Sequence, residues 1–142
     1  MRSATLLQEC LLRAGMRDVV TVEPVTGGLA ALAGIATRLD APSVFVKAFV
    51  DTSSDDVFVA EAEGLVALRE VGGVATPDVI LVGQELLVLS ELRPKPPSAT
   101  FWEQFAHALA RLHMSTTHPR FGWHRDNWLG RCPTCCRTGR HA

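Results

Sequence analysis

Across residues 3–14 the apolar side chains Leu6, Leu7, Cys10, Leu11 and Ala14 recur at helical spacing. This predicts a short amphipathic helix with Ser3 as its cap and Gly15 as its stop. The period then shortens. Residues 19–25 and 34–39 are apolar segments on either side of a bend at Gly27 and Gly28, which predicts a hairpin with a long tip of small residues. After the turn Asp40-Ala41-Pro42-Ser43, the β-branched and aromatic run 44–50 predicts a buried strand. Residues 78–83 and 85–92, parted at Gly83-Gln84, predict a second hairpin. Between the hairpins, residues 58–71 suit a helix with Phe58, Leu65 and Leu68 near one face and Gly72-Gly73 as its end. Asp55 and Asp56 suit the positive end of that helix. Five strands with one intervening helix are expected.

Three prolines within residues 93–98 forbid a continued strand or helix and mark a boundary. Thr100 and Glu103 then have capping-box spacing, and Phe101, Trp102, Phe105, Leu109 and Leu112 form an apolar stripe running to His113. The expected divisions are a lobe over 1–92, a linker over 93–99, the start of a second lobe over 100–130, and an atypical Cys- and Arg-rich tail over 131–142.

Composition narrows the function classes. With 47% hydrophobic and 20% charged residues the chain is suited to fold, and 142 residues fit one domain. A net charge of −1 provides no field to hold a nucleic acid. Gln8 and Glu9 break the opening apolar stretch, and no run reaches the ~18 apolar residues of a membrane span, so a cytoplasmic protein is expected. Cys10 stands apart from Cys132, Cys135 and Cys136, which suggests reduced thiols in place of a disulfide framework.

The sharpest chemical feature is Lys47, which strand alternation places on one face with Phe45 and Phe49. An ammonium there needs a partner. One reading is an edge-strand lysine reaching water; the other is a cation held to grip phosphate oxygens. Glu61, fourteen residues on, could fold back from the helix to hold it, with Glu63 competing but facing another way. The Gly27-Gly28 tip would let backbone approach a phosphate, although no Walker Gly-Lys-Ser/Thr follows and a plain turn is the alternative. Ser90, Glu91 and Leu92 lie where a nucleotide hinge would present its backbone, or simply end a strand. The triplet His124-Arg125-Asp126 has Arg131 where a kinase catalytic loop needs Asn, so a polar loop is expected. Cys132, Cys135, Cys136 and His141 make at most half a zinc site, and no metal centre is expected. His107 and His113 are expected as partly buried or surface helix residues, and His118 as a loop residue.

The segments VEPVTGG, VFVKAF, FVAEAEGLVAL, LVLSEL, FWEQFAHALARLH and FGWHRDNWLG resemble, in order and approximate spacing, the fructosamine/ketosamine kinases. The resemblance covers about residues 19–130. It implies an α+β, protein-kinase-like amino-terminal lobe, with an antiparallel five-stranded sheet plus helix, followed by a hinge and the first helix of a second lobe. It also implies ATP as cofactor and transfer of its phosphate to a hydroxyl of a ketoamine sugar on a protein or amine. By the same resemblance Gly27 and Gly28 belong to the phosphate loop, Lys47 contacts phosphates, Glu61 orients Lys47, and Ser90, Glu91 and Leu92 form the hinge. The family has Glu where Ser90 stands. It continues with a catalytic loop and metal-binding Asp that have no counterpart here, so the catalytic Asp is absent and Mg ligands are expected from a missing lobe. A truncated chain, inactive alone, is the expectation, with a nucleotide-binding or regulatory module as the alternative.

Overall fold

The computed structural model describes residues 2–26, 31–49, 55–115, 122–129 and 132–134. The opening stripe folds as α1 (Arg2–Arg13), so Ser3 lies inside the first turn and does not cap it. Gly15 ends the helix in a left-handed conformation, φ 88°, while the Met16 N–H bonds back to the Leu11 carbonyl at 3.0 Å. Leu7 and Leu11 are fully buried and Cys10 nearly so.

Strands β1 (Val19–Pro24), β2 (Leu32–Arg38), β3 (Val44–Ala48), β4 (Val79–Val82) and β5 (Leu86–Ser90) form one antiparallel sheet in the order β1-β2-β3-β5-β4. Because β5 inserts beside β3, with Val44 opposite Ser90 and Ala48 opposite Leu86, β3 is central. The edge-strand reading of Lys47 therefore fails: an ammonium in mid-sheet cannot reach water along an open edge.

Alternation along β3 divides the core in two. Val44, Val46 and Ala48 pack with Leu7 and Leu11 of α1 on one face. Phe45 and Phe49 pack with Phe58 and Ala62 of α2 (Val57–Glu70) on the other. Cover on both faces explains the unbroken apolar run of β5, whose residues 86–89 are all buried. Beneath α1 the chain needs Gly34, since a Cβ there would lie 2.9 Å from the Glu23 carbonyl oxygen and 3.0 Å from Leu7 Cδ1.

Asp18 and Arg38 close the far end of the first hairpin, with Arg38 Nε donating to Asp18 Oδ2 at 2.7 Å. That hydrogen bond holds the Asp18 carboxyl below the usual carboxylate range. A depressed folded-state pKa adds stability above the unfolded aspartate value of about 3.9, and that stability is lost as pH falls through the folded value. Asp18→Asn is therefore expected to lose less stability than wild type when urea unfolding is moved from neutral to strongly acidic pH. Equal losses in the two proteins would count against this contribution.

Two expected caps take other partners. Asp56 precedes α2 but makes no side-chain cap bond. Thr100 precedes α3 (Phe101–Ser115), where its hydroxyl accepts from the Gln104 side-chain amide at 3.1 Å in place of a capping box with Glu103. Among the described residues little covers the apolar stripe of α3: Leu112 lies partly buried beside Gly72, Phe101, Trp102, Phe105 and Leu109 are exposed, and no residue of the helix is buried. Residues 124–134, expected as a polar loop leading into an atypical tail, contain a small antiparallel sheet of β6 (Asn127–Leu129) and β7 (Cys132–Thr134). Trp128 draws this segment onto the α2 side of the core. That burial outweighs the local polarity of the neighbouring residues.

Candidate functional site

Lys47 and Glu61 meet over the α2 face of the sheet. Lys47 Nζ donates to Glu61 Oε2 at 2.5 Å and stands 5.8 Å from the centre of the Phe58 ring. Both side chains are about two-thirds buried, at 27% and 32% exposure, so each charge depends on the other for part of its lost hydration. The helix explains why Glu61 is the partner: it lies one turn after Phe58, which is anchored in the core, and shares its face. Glu63 points elsewhere and accepts from Arg125 at 2.8 Å.

The pair lines a cleft of about 800 Å³, together with Thr26, Ala33, Phe45 and Asn127 among others. A mainly apolar cleft with a lysine ammonium in its described lining suits a ligand that joins an anionic group to an apolar one. Gly27 and Gly28 lie outside the described residues, but Thr26 and Ala31 on either side of that segment line the cleft. Ser90, Glu91 and Leu92 do not line it. The Ser90 hydroxyl accepts from the Asp78 N–H at 2.8 Å, Glu91 contacts Arg93 at 3.4 Å, and Leu92 is exposed.

The triplet 124–126 has a structural partner that local sequence does not announce. Arg125 pairs with both Asp56 and Glu63, and the Trp128 indole N–H donates to Asp56 Oδ1 at 2.8 Å. The available signal was the spacing of Asp56, just before α2, and Glu63 on it, seven positions apart and so near one stripe. Cys132 is exposed in β7, whereas Cys135, Cys136, His118 and His141 lie outside the described residues. His107 and His113 are exposed on α3. Among the described residues no three His, Cys, Asp or Glu side chains gather as a metal site.

A family profile for fructosamine kinases matches residues 4–140. The chain belongs to the fructosamine kinase family. A probable ketoamine kinase of Vibrio parahaemolyticus is 38% identical over 80 residues, which cover 51% of this chain and 27% of that protein. A second, from Thermus thermophilus, is 51% identical over 57 residues, covering 40% and 20%. A crystal structure from Thermobifida fusca, bearing the name fructosamine-3-kinase, superposes with a TM-score of 0.72 at 27% identity over 89% of this chain and 44% of that one. Another of that name, from Haemophilus somnus, gives 0.73 at 23% identity over 94% and 46%, and supports the fold alone. The chain thus spans less than half the length of either solved relative. What it matches is the kinase-like amino-terminal portion, an α+β fold with its antiparallel sheet and helices.

Proposed function

We propose that this chain is the ATP-binding lobe of a ketosamine kinase. The observation that carries the reading is the Lys47–Glu61 ion pair, set in the central strand and opening on the cleft. In this role the Lys47 ammonium donates to phosphate oxygens, while Glu61 keeps it aimed, the arrangement that kinase-type phosphoryl transfer uses. We assign Gly27 and Gly28, which lie outside the described residues, to the phosphate loop, and Ser90, Glu91 and Leu92, at the end of β5 and outside the cleft lining, to the hinge.

Magnesium, when bound with ATP, would neutralise phosphate charge, and we assign its protein ligands to the part of the family length that the chain does not span. The acceptor is a hydroxyl of a ketoamine sugar on a protein or small amine, as the names of the relatives suggest. In that reaction its oxygen would bond to the γ-phosphorus as the bond to ADP breaks, and the hydroxyl proton would pass to a base. We assign this transfer step to the part of the family length that the chain does not span, so that the chain alone binds nucleotide without turning it over. No helix among the described residues is long and apolar enough to cross a membrane.

Calorimetric titration with Mg-ATP tests the reading. Saturable binding at one site per chain is the expected result, with no ADP formed on adding a fructosamine. Heats of dilution alone, up to millimolar ATP, would overturn it.

A further inference from the structure

Helix α2 carries Glu61 to Lys47; Phe58 anchors its first turn in the core, but the positions on either side of Glu61 are filled by small side chains. Of its four buried residues two are alanines, Ala60 and Ala62, and a Cβ added at Gly64 would meet nothing within 4 Å. Small side chains interlock poorly with a sheet. Rotating the helix by about 20° would move a carboxylate at its outer radius of about 6 Å by about 2 Å. That is enough to part Glu61 from Lys47.

On another side of the same helix, Arg125 bridges Asp56 and Glu63, two turns apart, and Trp128 adds its own bond to Asp56. Glu63 points about 200° around the helix from Glu61, so α2 is gripped from two directions. The other Glu63 oxygen, Oε2, is buried, and no described residue gives it a hydrogen bond; His124 Nε2 stands 4.0 Å away. Arg125 is thus the hydrogen-bond donor seen for that carboxylate.

We propose that Arg125 is a positioning residue for the nucleotide site: by bridging Asp56 and Glu63 it sets the rotation of α2 and thereby holds Glu61 on Lys47. This rests on the nucleotide reading of Lys47. A planar guanidinium can span two carboxylates, whereas a lysine ammonium offers a single point of charge.

The test compares wild type, Arg125→Ala, Arg125→Lys and Glu61→Gln, and the double variant of Arg125→Ala with Glu61→Gln, by Mg-ATP calorimetry and by amide hydrogen exchange without nucleotide. Arg125→Ala is expected to weaken ATP binding by about tenfold, the order of effect for a residue acting through another. Arg125→Lys should recover little of it. In the Glu61→Gln background, where only a neutral acceptor remains for Lys47, the Arg125→Ala effect should shrink, because the two act in series. An undiminished effect in that background, full rescue by lysine, or unchanged affinity in Arg125→Ala would each overturn the proposal. Should wild type fail to bind ATP, the nucleotide reading fails by itself and hydrogen exchange decides the clamp. Selective loss of protection in α2, with β1 to β3 unchanged, upholds it; unchanged α2 protection overturns it.

Discussion

Lys47→Ala is expected to weaken Mg-ATP binding by about 10- to 100-fold, the loss of one charge-assisted hydrogen bond worth about 1.5–3 kcal/mol. The change removes more than an attraction. Glu61, about two-thirds buried, loses its 2.5 Å partner and leaves a carboxylate facing the phosphates. Repulsion then adds to the missing contact. Glu61→Gln keeps a hydrogen-bond acceptor for Lys47 and removes that charge, so its loss should be smaller than that of Lys47→Ala. Calorimetry on the three proteins, each checked for a cooperative thermal transition, decides the matter. Wild-type affinity in Lys47→Ala would remove Lys47 from the nucleotide site.

Phe58→Ala should produce the largest loss of stability, about 3–5 kcal/mol. The ring is 1% exposed, stacks on Phe49 with centroids 4.5 Å apart at 15°, and lies under the Lys47 ammonium. Its removal opens a cavity between helix and sheet that the neighbouring alanines cannot fill. A loss of this size is a large share of the about 5–15 kcal/mol that holds a domain together. Phe58→Leu keeps most of the volume and should cost under about 1.5 kcal/mol. Urea unfolding followed by far-UV circular dichroism gives both values. A loss below about 1 kcal/mol for the alanine variant would show that this core does not depend on the ring.

The elements that local pattern determines were legible in the sequence. Period-2 alternation places Lys47 with Phe45 and Phe49, and helical spacing favours Glu61 over Glu63 as its partner. The five strands and the helix between them followed from apolar runs and glycine punctuation. Strand order was not legible, because β5 finds β3 through pairing across the intervening helix and hairpin, and only that order makes Lys47 central. Nor was the seating of residues 122–129. Arg125 meets carboxylates 62 and 69 positions earlier in the chain, and such a contact leaves no periodic trace near either end. The same distance hides the partners of Asp56, which stands at the start of α2 as expected but gives its carboxylate to a guanidinium and an indole from far along the chain.

The seating of Trp128 has an optical consequence. Trp102 is 72% exposed and Trp123 40% exposed, whereas the Trp128 indole rests on the apolar α2 core with its N–H bonded to a carboxylate. An indole in such surroundings emits at shorter wavelength than one in water. With Trp102 and Trp123 replaced by phenylalanine, the remaining fluorescence would come from that one ring. The protein therefore carries an internal dye at the point where β6 rests on α2, and its colour distinguishes the seated segment from a detached one without any added label.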